Sequence, residues 1–363
     1  MVHSRKKVCV IFKQGKIISE RVNVKNSNLT KSFDVAPNKS LVEKFWRNFN
    51  EGDLKTYMVP VLGTISLFIL GQFIAPGFAR AQGVLNYMAV ASLTMFACIA
   101  QSLVMLNGRM GFDLSIGALM SVGAAWGASL SGGTTVGVMW SVLAMGVVGA
   151  FCGLISGTCV KIFNMPPMVV TMSIGSLVSG GYIAITRGQV AGTQADLFKI
   201  IGTGNAFGYI RWVLLIAIAL IIIIELVLRK TKYGKSLYFV GTNELAAALC
   251  GIKTTWVFIT TYMLAGISSA LAGLMLFAVV GSTQAGQGDQ YTMLSIAAVV
   301  IGGVSLAGGK GTYLGAALGA VMMTVLAGFL TVVQIPQGAR DLLKGLILMS
   351  ILLLYARSPK LRQ

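Results

Sequence analysis

The chain has 363 residues, 55% of them hydrophobic and 11% charged, where a soluble domain carries about a quarter charged residues. A soluble core cannot absorb that apolar excess. The formal charge of +18 raises a nucleic-acid partner, but the 29 Lys and Arg residues do not form a basic groove: twelve precede Tyr57, and most others fall in short gaps between apolar runs, the arrangement of loops kept on the cytoplasmic side of a bilayer.

Residues 1–56 read as a polar, basic cytoplasmic tail. Its only apolar run, Val8 to Phe12, is shorter than the roughly 7–15 residues of a signal-peptide core, so no cleaved signal is expected. The stretch around Lys44, Trp46 and Arg47 reads either as an interfacial helix or as disorder. From Tyr57 onward, runs long enough to cross a hydrocarbon core of about 30 Å recur. Ten spans are predicted: 57–75, 85–106, 113–131, 135–160, 167–186, 211–228, 256–280, 291–307, 312–333 and 340–356. The expected fold is an all-α polytopic membrane protein, with one membrane domain over 57–358 and a short cytoplasmic end at 359–363.

An even number of spans leaves both termini cytoplasmic, where Arg357, Lys360 and Arg362 belong by the positive-inside rule. The same alternation puts Lys161 and the basic loop from Arg229 to Thr255 inside, and Arg187 to Ile210 outside. Leu114 to Ala118 reads Leu-Ser-Ile-Gly-Ala and Leu294 to Ala298 reads Leu-Ser-Ile-Ala-Ala. The two fall in the third and eighth spans, as two inverted five-helix halves would require. Gly311, Gly315 and Gly319, four residues apart, form a ridge suited to close helix packing in lipid.

Chemistry-bearing groups are few. The single histidine is His3, in the tail, and the five cysteines show no close metal-type pair, so neither a metal site nor a hydrolytic triad is expected. Val304 to Gly311 ends in Gly309-Lys310-Gly311 but lacks the first glycine and the final Ser or Thr of a phosphate-binding loop. It reads as a turn, and no cofactor is expected on this chain. An ionised side chain in lipid costs at least about 2.5 kcal/mol, which makes three carboxylates informative. Glu225 lies one turn from Arg229, and Asp341 lies three residues from Lys344, so both can pair at helix ends. Asp113, after Gly111-Phe112 and before Ser115, reads either as a helix cap or as a residue of a substrate pathway. Ser115 and Ser305 are its candidate companions on that pathway.

The loop from Thr231 to Lys253 carries Asn243, which can cap a short helix through Leu249, and Gly251, which supplies a left-handed stop. Such a helix is too short to stand alone. It is expected to present Glu244, Ala247 and Ala248.

At this loop the sequence resembles the permease subunits of ribose, xylose, galactose and autoinducer-2 ABC importers. Their coupling loop has the pattern Gly-x-Asn-x-x-Ala-Ala-x-x-x-Gly-Ile, met here by Gly241, Asn243, Ala246, Ala247, Gly251 and Ile252. Gly111-Phe-Asp-Leu-Ser-Ile-Gly117, Met165-Pro-Pro-Met-Val-Val-Thr171 and Ala297-Ala-Val-Val-Ile-Gly-Gly-Val-Ser-Leu-Ala-Gly-Gly-Lys-Gly311 are similar to further family segments, in family order. Val304 departs from the family's usual Thr. The resemblance covers roughly residues 55–358 and implies a multi-pass bacterial inner-membrane permease importing a monosaccharide or small polyol. Its implied partners are a second permease subunit, an ABC ATPase subunit that holds ATP and Mg, an extracytoplasmic sugar-binding protein and membrane lipid, with no nucleic acid. The alternatives are a permease for branched-chain amino acids or nucleosides and, from a different class, a gradient-driven secondary transporter.

Overall fold

The computed structural model describes residues 51–187 and 192–356. The interfacial stretch near Trp46, nearly all of the expected tail and the closing segment 359–363 therefore lie outside the described residues.

Thirteen helices are described. In chain order they are α1 (Glu51–Ile74), α2 (Ala81–Leu106), α3 (Ile116–Ser131), α4 (Thr135–Lys161), α5 (Pro167–Thr186), α6 (Asp196–Thr203), α7 (Trp212–Lys230), α8 (Lys232–Thr242), α9 (Glu244–Leu249), α10 (Thr254–Val280), α11 (Gln290–Ile301), α12 (Tyr313–Val332) and α13 (Gln337–Ala356). The all-helical expectation misses one detail. Between α6 and α7, Asn205–Ala206 and Ile210–Arg211 pair as a two-residue antiparallel ribbon, β1 and β2, turned through left-handed Phe207 and Gly208.

Every expected span contains a helix, and seven helices are long and apolar enough to cross a membrane: α1, α2, α4, α5, α7, α10 and α12. The third and eighth spans are shorter than the sequence suggests. α3 has 16 residues and α11 has 12, so at about 1.5 Å per residue α11 covers roughly 18 Å, well short of the hydrocarbon core. Hydropathy alone extended them, because the flanking segments are apolar yet punctuated by glycine. Gly111 to Ser115 stays outside α3, and Gly302 onward forms a turn.

The central helices are α2 and α10. Every residue from Ala91 to Leu106 is buried, and α10 runs against α4 and α3. Backbones there approach to touching distance. A Cβ built on Gly149 falls 2.3 Å from the Gly266 carbonyl oxygen, and one on Gly153 falls 2.1 Å from that of Tyr262. Gly149, Gly153 and Gly157 thus form the kind of small-residue ridge expected for helix association in lipid. The outer helices are inverted relative to a soluble protein: α4 exposes Met139, Trp140, Leu143, Val147 and Phe151, an apolar surface that lipid covers.

The predicted ridge on α12 is partly corrected. Gly315 and Gly319 do face α11, where a Cβ would fall 2.1 Å from the Gly302 oxygen and 2.0 Å from the Ala298 oxygen. Gly311 precedes the helix instead, at φ +127°. The helix starts later because Thr312 is its N-cap, accepting from the Gly315 amide at 3.1 Å. Glu225 of α7 reinforces the same end by accepting from the Tyr313 and Leu314 amides at 3.0 and 3.1 Å, while its other oxygen pairs with Arg229 as expected.

One pattern occurs twice. A long helix, nine non-helical residues, a short helix and another long helix make up α2, 107–115, α3 and α4, and again α10, 281–289, α11 and α12. In this register the Leu-Ser-Ile echo does not correspond. Leu114 precedes α3, whereas Leu294 is the fifth residue of α11, so the matching pentapeptides hold different positions in the two units.

Candidate functional site

The loop after α7 folds as two helices where one was expected. Thr231 caps α8 by accepting from the Gly234 amide at 3.1 Å. Asn243, at φ −158° and ψ 104°, closes α8 and opens α9, its Oδ1 accepting from the Ala246 amide at 2.9 Å. Gly251 at φ +83° ends α9. Its amide donates to the Ala248 oxygen at 2.9 Å and the Ile252 amide donates to the Ala247 oxygen at 3.1 Å, a Schellman stop that satisfies the last carbonyls. The Asn, Gly and Ile of the loop pattern are thereby explained as cap and stop of one short helix.

The presented face differs from the expectation. Ala247 is buried and holds α9 to the body. Leu245 and Leu249 are 72% and 82% exposed, and Ala248 is exposed with them. Glu244 points to its own bundle, with Arg109 Nε 3.0 Å from its Oε2 and Lys161 Nζ paired to its Oε1. Arg109 also donates through Nη1 to the Val160 oxygen at 3.2 Å and lies 5.3 Å from the centre of the Phe258 ring. Glu244 thus ties α9 to the segment after α2 and to the last residue of α4. Two cations converge on one carboxylate, and this outweighs any outward orientation of that side chain.

Arg109 and the next residue, Met110, both have left-handed backbones, φ +58° and +51°, a conformation costing about 1–2 kcal/mol per non-glycine residue. The three bonds of Arg109 hold that turn in place. Directly beside it, three segments cross at backbone contact: the end of α2, the end of α8 and the turn 302–311. A Cβ on Gly241 would fall 1.9 Å from the Leu106 oxygen and 2.6 Å from the Gly309 nitrogen. One on Gly308 would fall 2.4 Å from Gly108 Cα. The Gly309 amide donates to the Leu106 oxygen at 3.0 Å. Val304 to Gly311 is a turn, as read from the sequence, with the Ser305 amide donating to the Lys310 oxygen at 2.9 Å.

Ser305 therefore belongs to this crossing. Its hydroxyl accepts from the Ala307 amide at 3.3 Å, and no described hydrogen bond joins it to Asp113 or Ser115. Those two do meet: the Ser115 amide and hydroxyl donate to Asp113 Oδ1 at 2.9 and 2.6 Å, all within the protein interior. Asp113 stabilises the turn before α3 but does not cap the helix. The capping oxygen comes from α11, where Thr292 Oγ1 accepts from the Gly117 amide at 2.9 Å. Reciprocally, Ser121 of α3 accepts from the Gly288 amide at 2.9 Å and donates to Asp289 Oδ1 at 3.3 Å. The N-terminal halves of the two short helices and the residues just before α11 are thus joined inside the bundle, each helix following a nine-residue non-helical segment. This is the broken-helix arrangement that places polar backbone at membrane depth only where protein or a cavity receives it.

Residues 83–352 match the family described as branched-chain amino acid transport system / permease component. The chain belongs to that family. The permease is also 30% identical over 318 residues to the autoinducer 2 import system permease protein LsrC of Yersinia enterocolitica, covering 86% of this chain and 84% of the relative. It is 30% identical over 301 residues to the ribose import permease protein RbsC of Bacillus subtilis, covering 81% and 91%. LsrC of Yersinia pseudotuberculosis matches at 30% over 318 residues, covering 86% and 87%. No solved structure matches. With seven helices among the described residues long and apolar enough to cross a membrane, the permease is a multi-pass inner-membrane protein.

Sequence reasoning missed Arg109, Lys161 and Thr292. The first two carried a usable signal, since both are cations flanking apolar spans, but their shared carboxylate is far away in the chain. Thr292 carried none. Its role is testable: Thr292→Val leaves the Gly117 amide unpaired in the interior and is expected to cost about 1–3 kcal/mol, lowering the thermal midpoint of the detergent-purified permease, while Thr292→Ser restores it. Equal midpoints for the valine and serine variants would remove the cross-helix cap.

Proposed function

We propose that the permease is the membrane subunit of an ATP-driven importer that moves a monosaccharide or related small polyol into the cytoplasm. In this reading ten spans cross the bilayer in two five-helix halves of opposite orientation, with both termini in the cytoplasm; the spans of the short helices α3 and α11 are completed by the non-helical segments beside them. ATP and Mg are held by a separate ATPase subunit. A second permease subunit completes the passage, and an extracytoplasmic binding protein delivers the ligand.

The observation that carries the reading is α9. It is a six-residue helix capped at both ends, outside the apolar spans, offering Leu245, Ala248 and Leu249 to a partner while Glu244 and Ala247 fasten it to the bundle. A surface of this kind suits a motor subunit that pushes on the permease. The force reaches the bundle through Gly241, Gly108 and Gly308, whose backbones touch, and so arrives at the segment leading to Asp113. Alternating access then follows as a two-state motion biased by the ATPase. The polyol substrate is supported by relatives named as ribose and autoinducer 2 import permeases.

Vesicles containing the permease, its ATPase and its binding protein are expected to accumulate labelled ribose only when ATP and binding protein are both present. Uptake driven by a proton or sodium gradient without ATP would overturn the importer reading. A second reading, a branched-chain amino acid permease, draws on the family description. Accumulation of labelled leucine in place of ribose would establish it.

A further inference from the structure

Among the described residues, helix α13 packs chiefly on α11. Its first two turns carry Arg340, Asp341 and Lys344, whereas Leu346 to Leu354 is almost wholly apolar. Three ionisable groups in two turns cannot rest against lipid, so this end requires water, protein or a ligand. Beside it, between α11, α12 and α13, lies a cavity of about 230 Å³, smaller than the roughly 300–1,000 Å³ of drug-sized sites. A single water needs about 10–15 Å³ or more of such space, so the cavity has room for a small ligand.

Its polar lining comes from two elements: Gln290, the first residue of α11, and Gln337, Asp341 and Lys344 of α13. Met293, Leu294, Ala297 and Met323 make the larger, apolar part of the wall. Asp341 is already oriented, accepting from Gln337 Nε2 at 3.0 and 3.1 Å and from Lys344 Nζ at 3.0 Å. Lys344 cancels the charge of Asp341, so the lining offers amide and ammonium donors and carboxylate and amide acceptors without a net charge on the pair. That set matches a neutral ligand bearing several hydroxyls, each both donor and acceptor, with a C–H face to lay on methionine.

We propose that this cavity is a polyol-binding site of the permease, in which Gln290, Gln337, Asp341 and Lys344 hold the ligand's hydroxyls. It lies toward the outer face in the topology proposed above, and the ligand class rests on the polyol reading. A surface ion pair on one helix would account for Asp341 and Lys344 alone. It does not account for Gln290 on α11 and the cavity between the two helices.

Gly345 provides the test, because it lines the cavity and a Cβ there meets no atom within 4 Å. In vesicles holding the full complex, Gly345→Leu fills the space, and labelled ribose moved per ATP hydrolysed is expected to fall roughly tenfold once the site is blocked. An unchanged ratio overturns the site. If that variant fails to insert, Gln290→Cys decides. Its modification by a water-soluble thiol reagent is expected to slow roughly fivefold with ribose at about four times its dissociation constant, and a rate indifferent to ribose overturns the proposal. Wild-type vesicles that carry leucine and no sugar sink the polyol reading and the ligand class together. Wild-type vesicles that carry ribose while Gly345→Leu carries it equally well per ATP sink the cavity alone.

Discussion

Substituting valine for Gly241 abolishes uptake and costs the permease about 3 kcal/mol or more of stability, read as a lower thermal midpoint and lower yield of folded protein. The reason is local and steric. The first added carbon would fall 1.9 Å from the Leu106 oxygen and 2.6 Å from the Gly309 nitrogen, both backbone atoms that no rotamer change can move aside. Overpacking that forces backbone apart sits at or beyond the upper end of the usual 1–3 kcal/mol. Two comparisons isolate the cause. Gly251→Ala meets no atom within 4 Å but must hold φ +83°, so it is expected to cost only about 1–2 kcal/mol and to fray the end of α9. Gly146→Ala, helical and unobstructed, is expected to be neutral or to stabilise by up to about 1 kcal/mol. A Gly241→Val protein as stable and active as the wild type would remove the backbone crossing from both the fold and the mechanism.

That crossing also shows what the sequence could convey. Its three contributors, Gly108 beside the Gly111 segment, Gly241, and the Gly308-Gly309 pair, lie in or beside three of the segments that carry the family resemblance, yet nothing in the chain says that they meet. Apolar runs placed a helix within every expected span because the bilayer imposes length and composition residue by residue. It overran α3 and α11, because a glycine-punctuated apolar stretch has the same hydropathy whether helical or not. Local capping was legible: Asn243 and Gly251 act within five residues of their partners, and the expected helix over 244–249 forms. Contacts between distant segments were not. Glu244 read as an outward-facing acid because Arg109 is 135 residues away, and Thr292 caps α3 across 175 residues. Ser305, assigned to the passage by motif alone, sits in a turn whose geometry is set by Gly303, Gly308 and Gly309, all at positive φ.

Reversing the charge at Glu244 separates the motor from transport. In the wild type, one carboxylate lies between Arg109 and Lys161. Each pair is partly exposed, so each contributes at most about 1 kcal/mol to stability, and Glu244→Arg is not expected to unfold the protein. It does place three cations in one pocket, which is relieved most easily by swinging α9 away from the bundle, since Ala247 is the one buried residue of that helix. ATP hydrolysis by the assembled complex then continues while uptake falls roughly tenfold or more, the ratio expected when about 1.4 kcal/mol of coupling is lost. Truncation alone is milder: Glu244→Gln keeps a hydrogen-bond acceptor for Arg109 and reduces uptake only a few-fold, because charge-assisted bonds are about twice as strong as neutral ones. The diagnostic experiment is the exchange. Arg109→Glu combined with Glu244→Arg restores one ion pair across the same gap, and uptake per ATP should recover in the double variant above either single one, with an interaction energy that a double-mutant cycle reads directly. Additive losses would mean that Glu244 acts on the ATPase itself and that its bonds to Arg109 and Lys161 are incidental. Recovery would place the transmission of force in the clamp, upstream of the backbone crossing at Gly241.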